Sequence, residues 1–234
     1  LKNWKVQAVV IGLLLLFSGV GIFYFLSPSG RARNVLRLEK QADQAVAAGQ
    51  LLDAEILVRK ALEVEPNAPD LLLKLGTVLE KEGVLSQAKD VYVQASAAKK
   101  SAGPGYYAGV VALKMNDRGE AERLFVENNL NWPEHVPTMY QLGAILAKKG
   151  QYKEALPFFQ RVTELEPNEA EAYTNLGFCY YNLEQPEKAK EMYLKALELN
   201  SNFEPARKSL QAVEADLTGK PQQGLTSEKC PTCR

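Results

Sequence analysis

The sequence predicts an all-α fold: an N-terminal transmembrane helix, then an α-solenoid of five helix–turn–helix rows, then a C-terminal capping helix. Three observations carry that reading. No charge interrupts the stretch from Val6 to Leu26. The following part of the chain falls into register at a period of 34 residues. The charge is also divided: residues 1–34 hold Lys2, Lys5, Arg31 and Arg33 and no acid, whereas 35–203 hold 19 basic and 24 acidic side chains. A basic head on a mildly acidic body is the pattern of a membrane-attached protein.

As a helix, residues 6–26 would cover roughly 31 Å, which matches a bilayer core of about 30 Å. Trp4 and Tyr24 stand at its two ends, where amphipathic rings prefer the interface. A cleaved signal peptide has an apolar part of only about 7–15 residues. This stretch is longer and has only Ser27-Pro28-Ser29 as a weak cleavage site, so residues 1–30 are expected to stay as an anchor, with 31–34 as a linker. Lys2 and Lys5 favour a cytoplasmic N-terminus, while Arg31, Arg33, Arg37 and Lys40 pull the other way. The first effect is expected to prevail by a small margin. It would make the chain a single-pass inner-membrane protein with its body in a bacterial periplasm; the alternative places the body in the cytoplasm.

The composition narrows function. With 28 basic and 28 acidic side chains there is no net charge to gather nucleic acid. There is one histidine, His135, and the cysteines are Cys179, Cys230 and Cys233. That excludes a disulfide-built scaffold, a His-rich metal site and most histidine-based catalysis. No enzyme and no small-molecule substrate are expected.

Rows begin at Val35, Pro69, Ala102, Val136 and Ala170, giving repeats 35–68, 69–102, 102–135, 136–169 and 170–203. Column twenty then holds Ala54, Ala88, Ala121, Ala155 and Ala189. Column eight holds Ala42, Gly76, Gly109, Gly143 and Gly177, and column twenty-four Val58, Tyr92, Phe125, Phe159 and Tyr193. Small residues midway along two helices let the backbones approach, and the large residue fills the space beside them. Gly49, Gly83 and Gly150 share column fifteen, where a first helix must stop and turn. Pro66, Pro133 and Pro167 share column thirty-two, where a second helix ends. Each row can bury its apolar face only against the next. Row three fits least: Gly103-Pro104-Gly105 disfavours helix, and Asn128-Asn129 stands where the second helix should still be apolar.

These columns resemble the tetratricopeptide repeat over 169 of the 234 residues. Rows four and five resemble it most, through Leu142-Gly143, Gly150-Gln151-Tyr152, Ala155, Phe159 and Pro167, then Tyr173, Leu176-Gly177, Tyr180, Ala189, Tyr193 and Ala196. The resemblance implies a non-catalytic scaffold, an assembly factor whose first helices line a concave groove for a partner peptide or helix. Carried onto this sequence, the groove columns are Leu73, Lys81, Tyr106, Val110, Leu113, Lys114, Tyr140, Lys148, Phe178 and Tyr181. Apolar and aromatic surface with a few cations suits a segment bearing some acids. The family's chaperone-tail clamp needs Lys and Asn at the fifth and ninth columns. Those read Glu39/Asp43, Leu73/Thr77 and Tyr106/Val110 here, which also weakens an import-receptor reading.

Beyond row five, Ala206, Leu210, Val213 and Leu217 recur at helical spacing, so 204–217 is expected to cap the last row, ahead of a tail at 218–234. Cys230-Pro231-Thr232-Cys233 is the one reactive-looking motif. It is half of a closed zinc site, so it would need ligands from another molecule; a disulfide and an idle thiol pair are the other readings. A metal- or redox-dependent regulator working through Cys230 and Cys233 is the alternative function.

Overall fold

The computed structural model describes residues 28–98 and 100–219. The expected membrane span 6–26 and the tail cysteines Cys230 and Cys233 therefore lie outside the described residues. Within them the regular structure is helical: α1 (Pro28–Ala47), α2 (Leu51–Val64), α3 (Pro69–Glu82), α4 (Leu85–Ser96), α5 (Gly103–Lys114), α6 (Arg118–Asn131), α7 (Val136–Lys148), α8 (Tyr152–Leu165), α9 (Ala170–Asn182), α10 (Pro186–Leu199) and α11 (Glu204–Leu217). Among the described residues no helix is long and apolar enough to cross a membrane.

The segment 31–34, read as a linker, is helical and runs unbroken into row one. Pro28 suits a first helical turn and Arg31, Ala32 and Arg33 are good helix formers, so nothing stops the helix short of Val35.

The chain divides into two compact units at Lys100 and Ser101. In the first, α1 pairs with α2 and α3 with α4, and α2 packs on α3. In the second, the hairpins are α5–α6, α7–α8 and α9–α10; α6 packs on α7, α8 on α9, and α11 closes against α10 and α9.

Within each row the lock is the column pair eight and twenty-four. A Cβ placed on Gly109 would fall 2.5 Å from Phe125 Cε1, and one on Gly143 2.9 Å from Phe159 Cζ. Only hydrogen leaves room for the ring. Row one reaches the same end differently, with a methyl on Ala42 and a smaller partner in Val58, both fully buried. All five column-twenty alanines are at 0 % exposure, so any larger side chain there must displace a neighbour.

Every first helix but that of the cap ends the same way. The column-fifteen residue is left-handed: Gly49, Gly83 and Gly150 in three rows, Asn116 (φ 60°) and Glu184 (φ 57°) in the others. In row four the Gly150 amide donates to the Ala147 carbonyl and the Gln151 amide to that of Leu146, satisfying carbonyls the helix leaves open. Rows three and five make the same pair of bonds without glycine.

Row three is a full helix pair, against the expectation from its opening residues. Pro104 falls in the first turn of α5, where its missing N–H costs nothing. Gly105 makes room: a Cβ there would lie 2.4 Å from Asn128 Oδ1. Asn128 is buried, and its Nδ2 donates to Thr138 Oγ1 at 2.7 Å, on the first helix of row four. A buried amide whose donor is satisfied replaces the apolar contact the pattern calls for.

Candidate functional site

Of the expected groove residues, Leu73 and Lys81 belong to the first unit, both on α3; Leu73 is half-buried and Lys81 exposed. The other eight belong to the second unit. Val110 and Leu113 are half-buried on α5. Tyr140 reaches the following row, Tyr181 the capping helix, and Tyr106 the end of its own row. Tyr106 sets its ring edge against His135, with centroids 5.5 Å apart. The Tyr140 hydroxyl accepts from Asn175 Nδ2 while its ring stands edge-on to Phe159. The Tyr181 hydroxyl donates to Asp216 on α11, and that bond pushes its pKa up to about 12. Phe178 is 9 % exposed and meets Tyr152 edge-on, so its ring packs rows four and five together instead of facing outward.

The two ends of α7 carry opposite charge. At the C-terminal end, Lys148 is exposed, and burial of part of its environment together with nearby Arg118 pushes its ammonium below the ordinary lysine range. Lys149 beside it is ion-paired with Glu122. Two neighbouring cations at a helix end favour an anionic group from outside.

At the N-terminal end lies a pocket of about 220 Å³ between rows four and five. Val136 and Pro137 give it an apolar wall over the buried Val162 and Ala172, Tyr140 stands at one side, and Glu166, Glu169 and Glu171 supply three carboxylates. Among the described residues none of these carboxylates has a hydrogen-bond or ion-pair partner. Neighbouring Glu164, by contrast, is paired with Arg161 at 2.8 Å. This pocket escapes a column-by-column reading because its walls come from two rows at once. The one available signal is three glutamates within six positions at a row boundary.

The remaining reactive groups are occupied. Cys179 is wholly buried, and burial pushes its thiol up to about 12, far from a nucleophile's range. His135 Nδ1 and Thr138 Oγ1 share a hydrogen bond at 2.7 Å, and the same hydroxyl accepts from Asn128 Nδ2. Burial lowers the His135 pKa. Among the described residues no group of three His, Cys, Asp or Glu side chains is placed to hold a metal ion.

Residues 135–202 match the tetratricopeptide repeat family model. Rows four and five are tetratricopeptide repeats. The wider fold agrees: the crystal structure of YrrB, a TPR protein described as having an unusual peptide-binding site, is 27 % identical with a TM-score of 0.61, covering 74 % of this chain and 90 % of that one. The MamA protein crystal structure superposes with a TM-score of 0.63 at 20 % identity, over 74 % and 97 % of the two chains, which shows the shared fold. Among curated relatives, the type IV pilus assembly protein PilF of Pseudomonas aeruginosa is 25 % identical over 186 residues, 73 % of this chain and 60 % of PilF. The protein O-mannosyl-transferase TMTC3 of Homo sapiens is 26 % identical over 162 residues. The chain spans only 18 % of that transferase's length.

Proposed function

We propose that this tetratricopeptide solenoid is a non-catalytic scaffold and assembly factor that holds a partner segment along the first helices of its rows. The observation that carries this reading is that the first helices α5 and α7 bear half-buried Val110, Leu113 and Tyr140 together with exposed Lys148. It is supported by the likeness to YrrB, whose structure is described as having a peptide-binding site, and to PilF, a pilus assembly protein. The test is affinity capture with the full chain. Lys148→Glu should lose captured partners, Glu154→Ala on an exposed outer position should keep them, and both should melt with the parent protein. Equal recovery by both variants contradicts the groove.

The scaffold is further proposed to work at a membrane, through residues 6–26, as a single-pass inner-membrane protein whose repeats face the periplasm. The support is the uncharged length of that stretch and the basic residues beside it. Alkaline extraction should leave the full chain in the membrane fraction and release a chain lacking 1–30. Release of both would remove the anchor from the reading.

A further inference from the structure

We infer that the pocket between rows four and five takes one lysine or arginine side chain of the bound segment, a refinement that rests on the groove reading above. The wall of Val136 and Pro137 over Val162 and Ala172 matches the methylene stem of such a side chain, which prefers apolar surface along its length and a polar setting at its tip. Glu166, Glu169 and Glu171 match its head. Among the described residues no cation of this chain answers these three carboxylates. They are not placed to chelate a metal ion either, which favours an elongated organic cation that meets them at its tip.

The preceding junction supplies independent support. Glu169 occupies column thirty-four of row four, and the same column of row three holds His135. There the imidazole fills the corresponding space against Tyr106, while Asn128 and Thr138 replace Val162 and Ala172. The chain thus sets its own imidazole against the column-five tyrosine at one junction and a carboxylate, Glu169, in the same column beside Tyr140 at the next.

The site also orients its occupant. Val136 at the acidic pocket and Lys148 at the cationic end bound α7, roughly 18 Å apart at helical rise. An extended segment covers that span in about five or six residues. The partner carries a basic residue for the pocket and an acidic one about five or six positions away.

Two measurements test this on the full chain in detergent micelles. In methyl NMR, n-butylguanidinium should shift Val136, Val162 and Ala172, neutral n-butylurea should not, and Glu166→Gln/Glu169→Gln/Glu171→Gln should abolish the response. Equal shifts from both compounds, no shift from either, or an unchanged response in the triple variant overturns the inference. In peptide display, selected sequences should place a Lys or Arg five or six positions from an acid, and the triple variant should bind them at least about tenfold more weakly. Peptides without that basic residue overturn the pocket and leave the groove standing. A methyl response with no peptide selected at all removes the groove and leaves the pocket. Loss of a dimer in the triple variant by sedimentation would make the occupant a second copy, overturning the assignment to a partner segment.

Discussion

Rows three and four meet through Gly105, Asn128 and Thr138, whereas rows four and five meet, at the same three columns, through Met139, Val162 and Ala172. Rows one and two use Leu38, Ala61 and Leu71 there, all buried in one cluster. Two of these junctions are hydrocarbon and one is a hydrogen-bonded amide, yet the helices pack in the same order. A column therefore specifies a place to be filled and dried, and leaves the chemistry open. The condition is that volume balances and each polar atom finds a partner. For the Asn128 amide nitrogen both are met, because Gly105 yields the space and Thr138 accepts the bond.

Moving the amide to the other junction should break this equivalence most severely. Val162→Asn would face Met139 where Asn128 faces glycine, and Ala172 offers no hydroxyl. The expected loss is about 3 kcal/mol or more, read by urea denaturation. Adding Ala172→Thr should restore about 1 kcal/mol of it. Tolerance of the single change would mean that the hydrogen bond does not distinguish the junctions.

Thr138→Val tests the same contrast from the other side and should do less damage. It keeps the shape but strips the Asn128 amide of its acceptor, at a cost of about 1–3 kcal/mol. The equivalent change at the apolar junction, Ala172→Val, should act through crowding alone, so a double-mutant cycle with Asn128→Ala should show coupling only for Thr138.

The smallest effect expected is a pH dependence confined to the polar junction. Burial holds the His135 pKa below its ordinary 6.5. As the pH falls through about 6.5 the unfolded chain takes up this proton and the folded chain does not. Stability owed to the neutral ring is therefore complete above that pH and declines below it. The stability difference between the parent and His135→Gln should shrink as the pH falls below about 6.5. A difference that stays flat, or widens with acid, would show that the ring is not held neutral against Thr138.

Much of this was legible in the residues. Five recurrences of a small–large column pair place ten of the described helices, since Gly143 has no other use for its missing side chain than the approach of Phe159. Asn128 was misleading because a repeat template judges a residue by its own column, and its partner Thr138 stands ten positions on, in the next row. The same limit applies to the groove. A column places Phe178 on a first helix but does not reveal that Tyr152, from the preceding row, covers its ring. Nor does it bring Glu166, Glu169 and Glu171 together, because a cavity exists only where several rows contribute a wall.

The bond from Asn128 to Thr138 has a consequence for ancestry and engineering. Arrays of like modules invite unequal recombination, in which a whole 34-residue cassette is lost or gained. Excising 136–169 would rejoin row three to row five and present the Asn128 amide with the Ala172 methyl in place of a hydroxyl. The cassettes are alike in outline but not exchangeable, and this one amide works as an address that names its neighbour. A shuffled array would carry that address unanswered, which ties the order of the rows to this one bond.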